Sequence, residues 1–197
     1  AFLGWNPGNE KELYSIDELI SDFSLERVGK SGAKFDPEKA KWFNQQHLRL
    51  KSNAELAILM KQNCSYDVSE VYLEKVAELM KERSTFQSEL ISEKYFFESV
   101  EDYDEKTFRK KWKSDSFSLV NEFFGLLNNI ENFSSMSIES SFKKFIEEKE
   151  IGMGSILPNL RLILTGTSIC LTSGDPITAS KILSLCDISS GRSFFKK

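Results

Sequence analysis

Soft metal ligands are scarce in this chain. Its 197 residues include one histidine, His47, and three scattered cysteines, Cys64, Cys170 and Cys186, with no C-x-x-C pair. A structural zinc site needs four such donors brought together, so no metal site is expected. An odd, dispersed cysteine set suits buried thiols in a reducing compartment better than a disulfide framework. Long apolar runs are absent as well. None approaches the ~20 residues that span a bilayer, so no membrane partner is expected. The opening FLGWNPGNEKE turns polar within a few residues, unlike a secretory signal, and a cytoplasmic location is expected. No stretch alternates strictly between apolar and polar residues within turn signals, which argues against a sheet. Positive charge is also short, since 26 Lys and Arg against 30 Asp and Glu give −4. Bulk attraction to nucleic acid is thereby excluded, and any such contact must rest on a few placed cations. The deficit is uneven: residues 51–110 carry 9 basic against 13 acidic side chains, and residues 151–197 carry 5 against 2.

What the chain does have is helical pattern. Ser15-Ile16-Asp17-Glu18 and Ser52-Asn53-Ala54-Glu55 read as capping boxes, in which the serine and the glutamate three residues on satisfy each other's backbone amides. Asp36 before Pro37 reads as N-cap and first helical residue of PEKAKWFNQQHL. Further helices are predicted over 69–83, 86–93, 104–112, 114–130, 137–149, 155–165 and 176–186, with Gly125 a weak point inside one of them. Phe117, Phe123, Phe124 and Phe133 lie on helical faces and are expected in the core. Gly29-Lys30-Ser31 hints at a phosphate loop, but Ser24 stands where that motif needs a glycine and no strand precedes it. SLERVGKSG is instead a turn, with Gly29 and Gly32 expected to supply special backbone angles. His47 has no nucleophile or carboxylate at helical spacing, and Glu147, Glu148 and Glu150 read as a solvated face. No nucleophile, base and oxyanion site assemble. The residues describe an all-α binding or structural module.

Two arginines stand out against that pattern. GSILPNLRLILTG, residues 154–166, is an apolar helix with one cation, Arg161, inside it. Pro158 suits only a first helical turn, which sets the expected start near Ser155. An arginine there can bury its stem and snorkel its head to water. In SEVYLEKVAELMKER, Tyr72, Val76, Leu79 and Met80 form an apolar stripe that Arg83 continues. A cation at such a helix end is also favourable to the helix dipole.

SLERVGKSGAKFDPEKAKWFNQQHLR, residues 24–49, resembles the segment that follows the catalytic domain in bacterial-type glutamyl-tRNA synthetases. The shared residues are Ser24 to Val28, Lys30 to Gly32, Phe35, Asp36, Lys39, Trp42 and Asn44. FLGWNPGNEKELYSIDELI resembles that family's Leu-Gly-Trp run just upstream. MKERSTFQSELISEKYFF and Tyr103-Asp104 are similar to its helical cage. Pro158, Leu160-Arg161 and Leu164-Thr165-Gly166 resemble its Pro-Leu-Arg…Leu-Thr-Gly signature, with Asn159 inserted. Neither ATP-binding signature of the family, the His-Ile-Gly-His type or the Lys-Met-Ser-Lys type, occurs here.

The resemblance implies a two-part α-helical cage of the class I anticodon-binding type. Residues 1–48 would end a stem-contact region, 49–112 would form the first helical subdomain and 113–197 the second. Phe2, Leu3 and Trp5 would then be exposed or paired in a crystal contact. The implied parent is a glutamate–tRNA ligase that uses ATP with Mg; this chain by itself would hold no cofactor and activate no glutamate. The implied partner is the anticodon loop of tRNA(Glu), bound by a monomer. The implied contacts are Arg161 at the first anticodon base, Arg83 at the third, and Asp175 and Thr178 nearby. A helical protein-interaction module that does not bind RNA is the alternative.

Overall fold

The computed structural model of the chain describes residues 3–167, and these are helical. Their order is α1 (Ile16–Asp22), α2 (Pro37–Leu50), α3 (Asn53–Asn63), α4 (Glu70–Met80), α5 (Glu105–Lys111), α6 (Ser116–Leu127), α7 (Ser135–Glu148) and α8 (Met153–Thr165). Short 3-10 turns occupy Leu25–Arg27, Gln87–Ile91 and Lys94–Phe96. No strand occurs among the described residues. The nearest thing to one is an isolated antiparallel bridge between Trp5 and Val28. The helix predicted over 176–186 lies outside the described residues, as do Cys170 and Cys186.

Most helix starts follow from local chemistry. Ser15 with Glu18 and Ser52 with Glu55 close both halves of their capping boxes. Asp36 accepts from the amides of Glu38 and Lys39, and Pro37 opens α2. Ser69 caps α4, Asp104 caps α5 and Ser134 caps α7 through side-chain oxygens. These bonds satisfy amides that no helical carbonyl can reach.

The core runs as one cluster from Leu48 to Leu164. α3 and α4 form an antiparallel pair against the 87–91 turn, α6 packs on α7 and α8, and α8 also lies against α5. Leu56, Leu73, Leu90, Phe123, Phe145, Ile156 and Leu160 are among its fully buried side chains. Each contributes roughly 1.5–3 kcal/mol by leaving water. Ahead of Leu48 the packing thins: α1 buries no residue, and Ile16 and Ile20 are both exposed.

Five expectations need correction. The helix predicted over 86–93 is instead a single 3-10 turn, Gln87–Ile91, where Glu89 folds back to accept from the amides of Thr85 and Phe86 while Leu90 anchors below. α8 begins at Met153, two residues earlier than Ser155, so Pro158 sits inside the helix. Burial of Ile156 and Leu157 offsets the missing amide bond. The left-handed glycines are Gly8 and Gly166, with φ of 74° and 75°, and not Gly29 or Gly32. Gly29 instead donates its amide to Gly4 O at 2.7 Å. Phe117 is exposed while Phe123 and Phe124 are buried; of the leading side chains expected outside, Leu3 is exposed but Trp5 is buried against Tyr14 and Phe23. Phe2 lies outside the described residues.

Candidate nucleic-acid interface

Arg83 sits in the turn that ends α4, and each neighbouring residue there is tethered. The amides of Arg83 and Ser84 both donate to Met80 O at 3.0 Å, and the Ser84 hydroxyl does so at 2.9 Å. Lys81 Nζ donates to Lys51 O at 2.8 Å. Arg49 Nη2 donates to Glu82 O at 2.6 Å, and its Nε lies 3.1 Å from the Glu82 carboxylate. Asn44 Nδ2 donates to Thr85 O, and the Thr85 amide donates to Glu89 Oε2 at 2.7 Å. Arg83 is itself half-buried, and its guanidinium makes no hydrogen bond or ion pair among the described residues. A fixed backbone thus presents an uncommitted cation.

Arg161 is mounted differently. It is half-buried, as is Pro158, in a helix whose Ile156, Leu157, Leu160, Leu162, Ile163 and Leu164 are all buried. Its carbonyl accepts from Thr165 Oγ1 at 2.9 Å. Its Nε and Nη2 are fully buried with no hydrogen-bond partner among the described residues. A buried donor left without an acceptor costs roughly 1–3 kcal/mol, more when charged. Such a group is in need of an acceptor from elsewhere.

The end of α8 explains two fragments of sequence at once. Gly166 is in the left-handed conformation and returns its amide to Leu162 O at 2.8 Å, closing the helix. A Cβ there would stand 2.5 Å from Asp102 O and 2.9 Å from Val100 Cγ1, so only glycine fits. Gly166 O accepts from the amide of Asp104 at 2.7 Å. Asp104 in turn caps α5 and accepts from the Thr107 hydroxyl at 2.9 Å. The Thr107 hydroxyl and the Thr107 and Lys106 amides hold its carboxyl below the ordinary value of 3.8. Tyr103-Asp104 and Leu164-Thr165-Gly166 are therefore two sides of one joint.

A nearby cleft of about 560 Å³ is lined by Glu93, Glu98, Glu101, Asp102, Lys94 and Thr165. Its four carboxylates repel phosphate, and burial pushes Glu93 above the ordinary carboxylate value. It does not suit an RNA backbone. Asp175 and Thr178 lie outside the described residues. Arg83 and Arg161 stand on different helical units, one at the end of the α3–α4 pair and one in the helix that packs on α5 and α6. Sequence patterns single out both arginines but miss their supports. Asn44 is visible only as a motif residue and Arg49 only as a basic residue in the last turn of α2, with nothing local to link either to a turn some forty residues on.

Fold and mounts together define an all-helical binding domain with cations held on rigid backbone. Residues 39–172 match the family model described as the anticodon binding domain. The chain is 42% identical over 172 residues to a glutamate–tRNA ligase of Flavobacterium johnsoniae, covering 84% of this chain and 34% of that protein. It is 44% identical over 170 residues to one of Parabacteroides distasonis, with the same coverage. The crystal structure of a glutamate tRNA ligase from Elizabethkingia meningosepticum superposes with a TM-score of 0.78 at 34% identity, over 97% of this chain and 39% of that one. The chain belongs to the anticodon-binding domain family. It spans about a third of the length of the curated relatives it matches.

Proposed function

We propose that this chain reads the anticodon loop of tRNA(Glu) as a monomer, as the anticodon-binding part of a glutamate–tRNA ligase. ATP, Mg and the chemistry that joins glutamate to tRNA would be the business of the rest of such a ligase. The observation that carries the reading is Arg161, whose Nε and Nη2 are buried without an acceptor among the described residues, on a helix whose flanking leucines are in the core. Single-stranded RNA is read on unstacked bases, by stacking and by hydrogen bonds to their Watson–Crick edges. A planar all-donor guanidinium on an apolar stem suits that task.

Arg161 takes the first anticodon base in this reading and Arg83 the third, with Asp175 and Thr178 as further contacts. The third anticodon base of glutamate tRNA is C, whose edge offers the acceptors O2 and N3. That of glutamine tRNA is G, whose N1–H and N2–H would face the guanidinium donor to donor. Arg83 therefore favours C. Gel-shift binding of the chain to tRNA(Glu) transcript tests the reading. Affinity is expected to fall linearly on a log–log plot against salt, and Arg161→Ala is expected to lose about tenfold or more. Equal binding of wild type and Arg161→Ala, or no preference over an unrelated tRNA, points instead to a helical protein-interaction module.

A further inference from the structure

The turn that carries Arg83 is held from outside its own helix pair, and the holders come from the C-terminal half of α2. Asn44 grips the carbonyl of Thr85 and Arg49 the carbonyl of Glu82, one on each side of Arg83. Arg49 adds a 3.1 Å contact to the Glu82 carboxylate. Lys81 returns a bond to Lys51 O, at the end of α2. A turn needs none of this to close, since the amides of Arg83 and Ser84 already reach Met80 O. From this geometry we infer that Asn44 and Arg49 are positioning residues for base selection at Arg83. The inference rests on the reading of Arg83 given above.

The physical argument concerns tolerance. Bidentate discrimination between C and G needs donors placed to within a fraction of an ångström, and a contact about 1 Å too loose keeps affinity while losing selectivity. A long arginine side chain is floppy, so its backbone must not be. Asn44 and Arg49 spend their donors on main-chain carbonyls, which fixes where the Arg83 Cα stands while its guanidinium stays uncommitted among the described residues. Arg49 need not touch RNA to set the preference.

The test compares affinities of the chain for tRNA(Glu) transcript with C or with G at the third anticodon position, at one salt concentration. Arg83→Gln is expected to cut the C-over-G preference roughly tenfold. Arg49→Gln is expected to cut it at least about threefold, and the double variant no further than Arg83→Gln alone, because the two act through one contact. Lys143→Gln, a matched charge loss at an exposed lysine paired with half-buried Glu139, is expected to leave the preference untouched. A merely structural Arg49 would lower the melting temperature or weaken both RNAs alike without moving their ratio, and that result overturns the inference. If Arg83→Gln lowers the preference and Arg49→Gln does not, the clamp alone fails. If Arg83→Gln changes nothing, the underlying reading of Arg83 fails and the clamp with it. Should Arg49→Gln not fold, Asn44→Ala removes the other grip and is judged by the same ratio.

Discussion

Arg83 and Arg161 stand on opposite kinds of support. Arg161 stands on α8, which is held by side-chain packing: nearly every neighbour on the helix is buried, and the cation rides on the core itself. Arg83 stands on a turn held by hydrogen bonds to its carbonyls and amides, most of them from partly exposed side chains. Packing is strong and nearly isotropic, so it fixes the helix axis while leaving the stability of the whole domain hostage to any void. Hydrogen bonds on an exposed turn are each worth about 1 kcal/mol or less net, so they place one backbone segment and contribute little elsewhere. Damage at the first support should spread, and damage at the second should stay local.

The largest effect that would break this contrast is expected at Leu160, which is 1% exposed and next to Arg161. Leu160→Ala should lose about 2–5 kcal/mol of unfolding free energy through lost transfer and an added cavity. Urea denaturation followed by circular dichroism measures it. A loss no larger than that of Arg49→Gln would show the two supports to be alike.

Gly166→Ala comes next. Its Cβ would meet Asp102 O at 2.5 Å in a left-handed backbone, so either the end of α8 or the 100–104 segment must move. A loss of about 2 kcal/mol or more is expected, read as a lower urea midpoint at unchanged slope. A midpoint equal to wild type would mean that the joint between α8 and α5 is not rigid.

Acid titration sharpens the comparison with the smallest effect. Asp104 beside α8 and Glu55 at the start of α3 both have carboxyls held below their ordinary values, Asp104 by the Thr107 hydroxyl first and Glu55 by the Ser52 amide first. A depressed native value means that the unfolded chain takes up protons first. Their contribution is complete above the ordinary values of 3.8 and 4.5 and is lost as pH falls through the lower native ones. Glu93 works in the opposite sense, because burial raises it. Asp104→Asn keeps a capping oxygen but cannot titrate, so the decline in urea midpoint below about pH 4 should be shallower than in wild type. An identical decline would exclude Asp104 from the acid response.

Local chemistry alone wrote much of this molecule. Capping boxes at Ser15 and Ser52, the Asp36-Pro37 start, the absence of alternation and the apolar spacing through 72–80 settle helix type and most helix starts. The bonds involved join residues two to four apart, and their partners are visible in any short window. The two arginines are legible for the same reason, as cations that interrupt apolar spacing.

Long-range packing decided the rest. Whether Pro158 opened α8 or sat inside it depended on Ile156 and Leu157 finding a core to enter. Which glycine needed a left-handed backbone depended on Asp102 and Val100 closing over Gly166 from another segment. Trp5 became buried through Tyr14 and Phe23, and Arg49 became a support for Arg83 through a carbonyl 33 residues away. Helical periodicity states which side of an element is apolar. Only the assembled chain states what that side, or a cation at its edge, is placed against, because contact across dozens of residues is set by the total packing and not by any local preference.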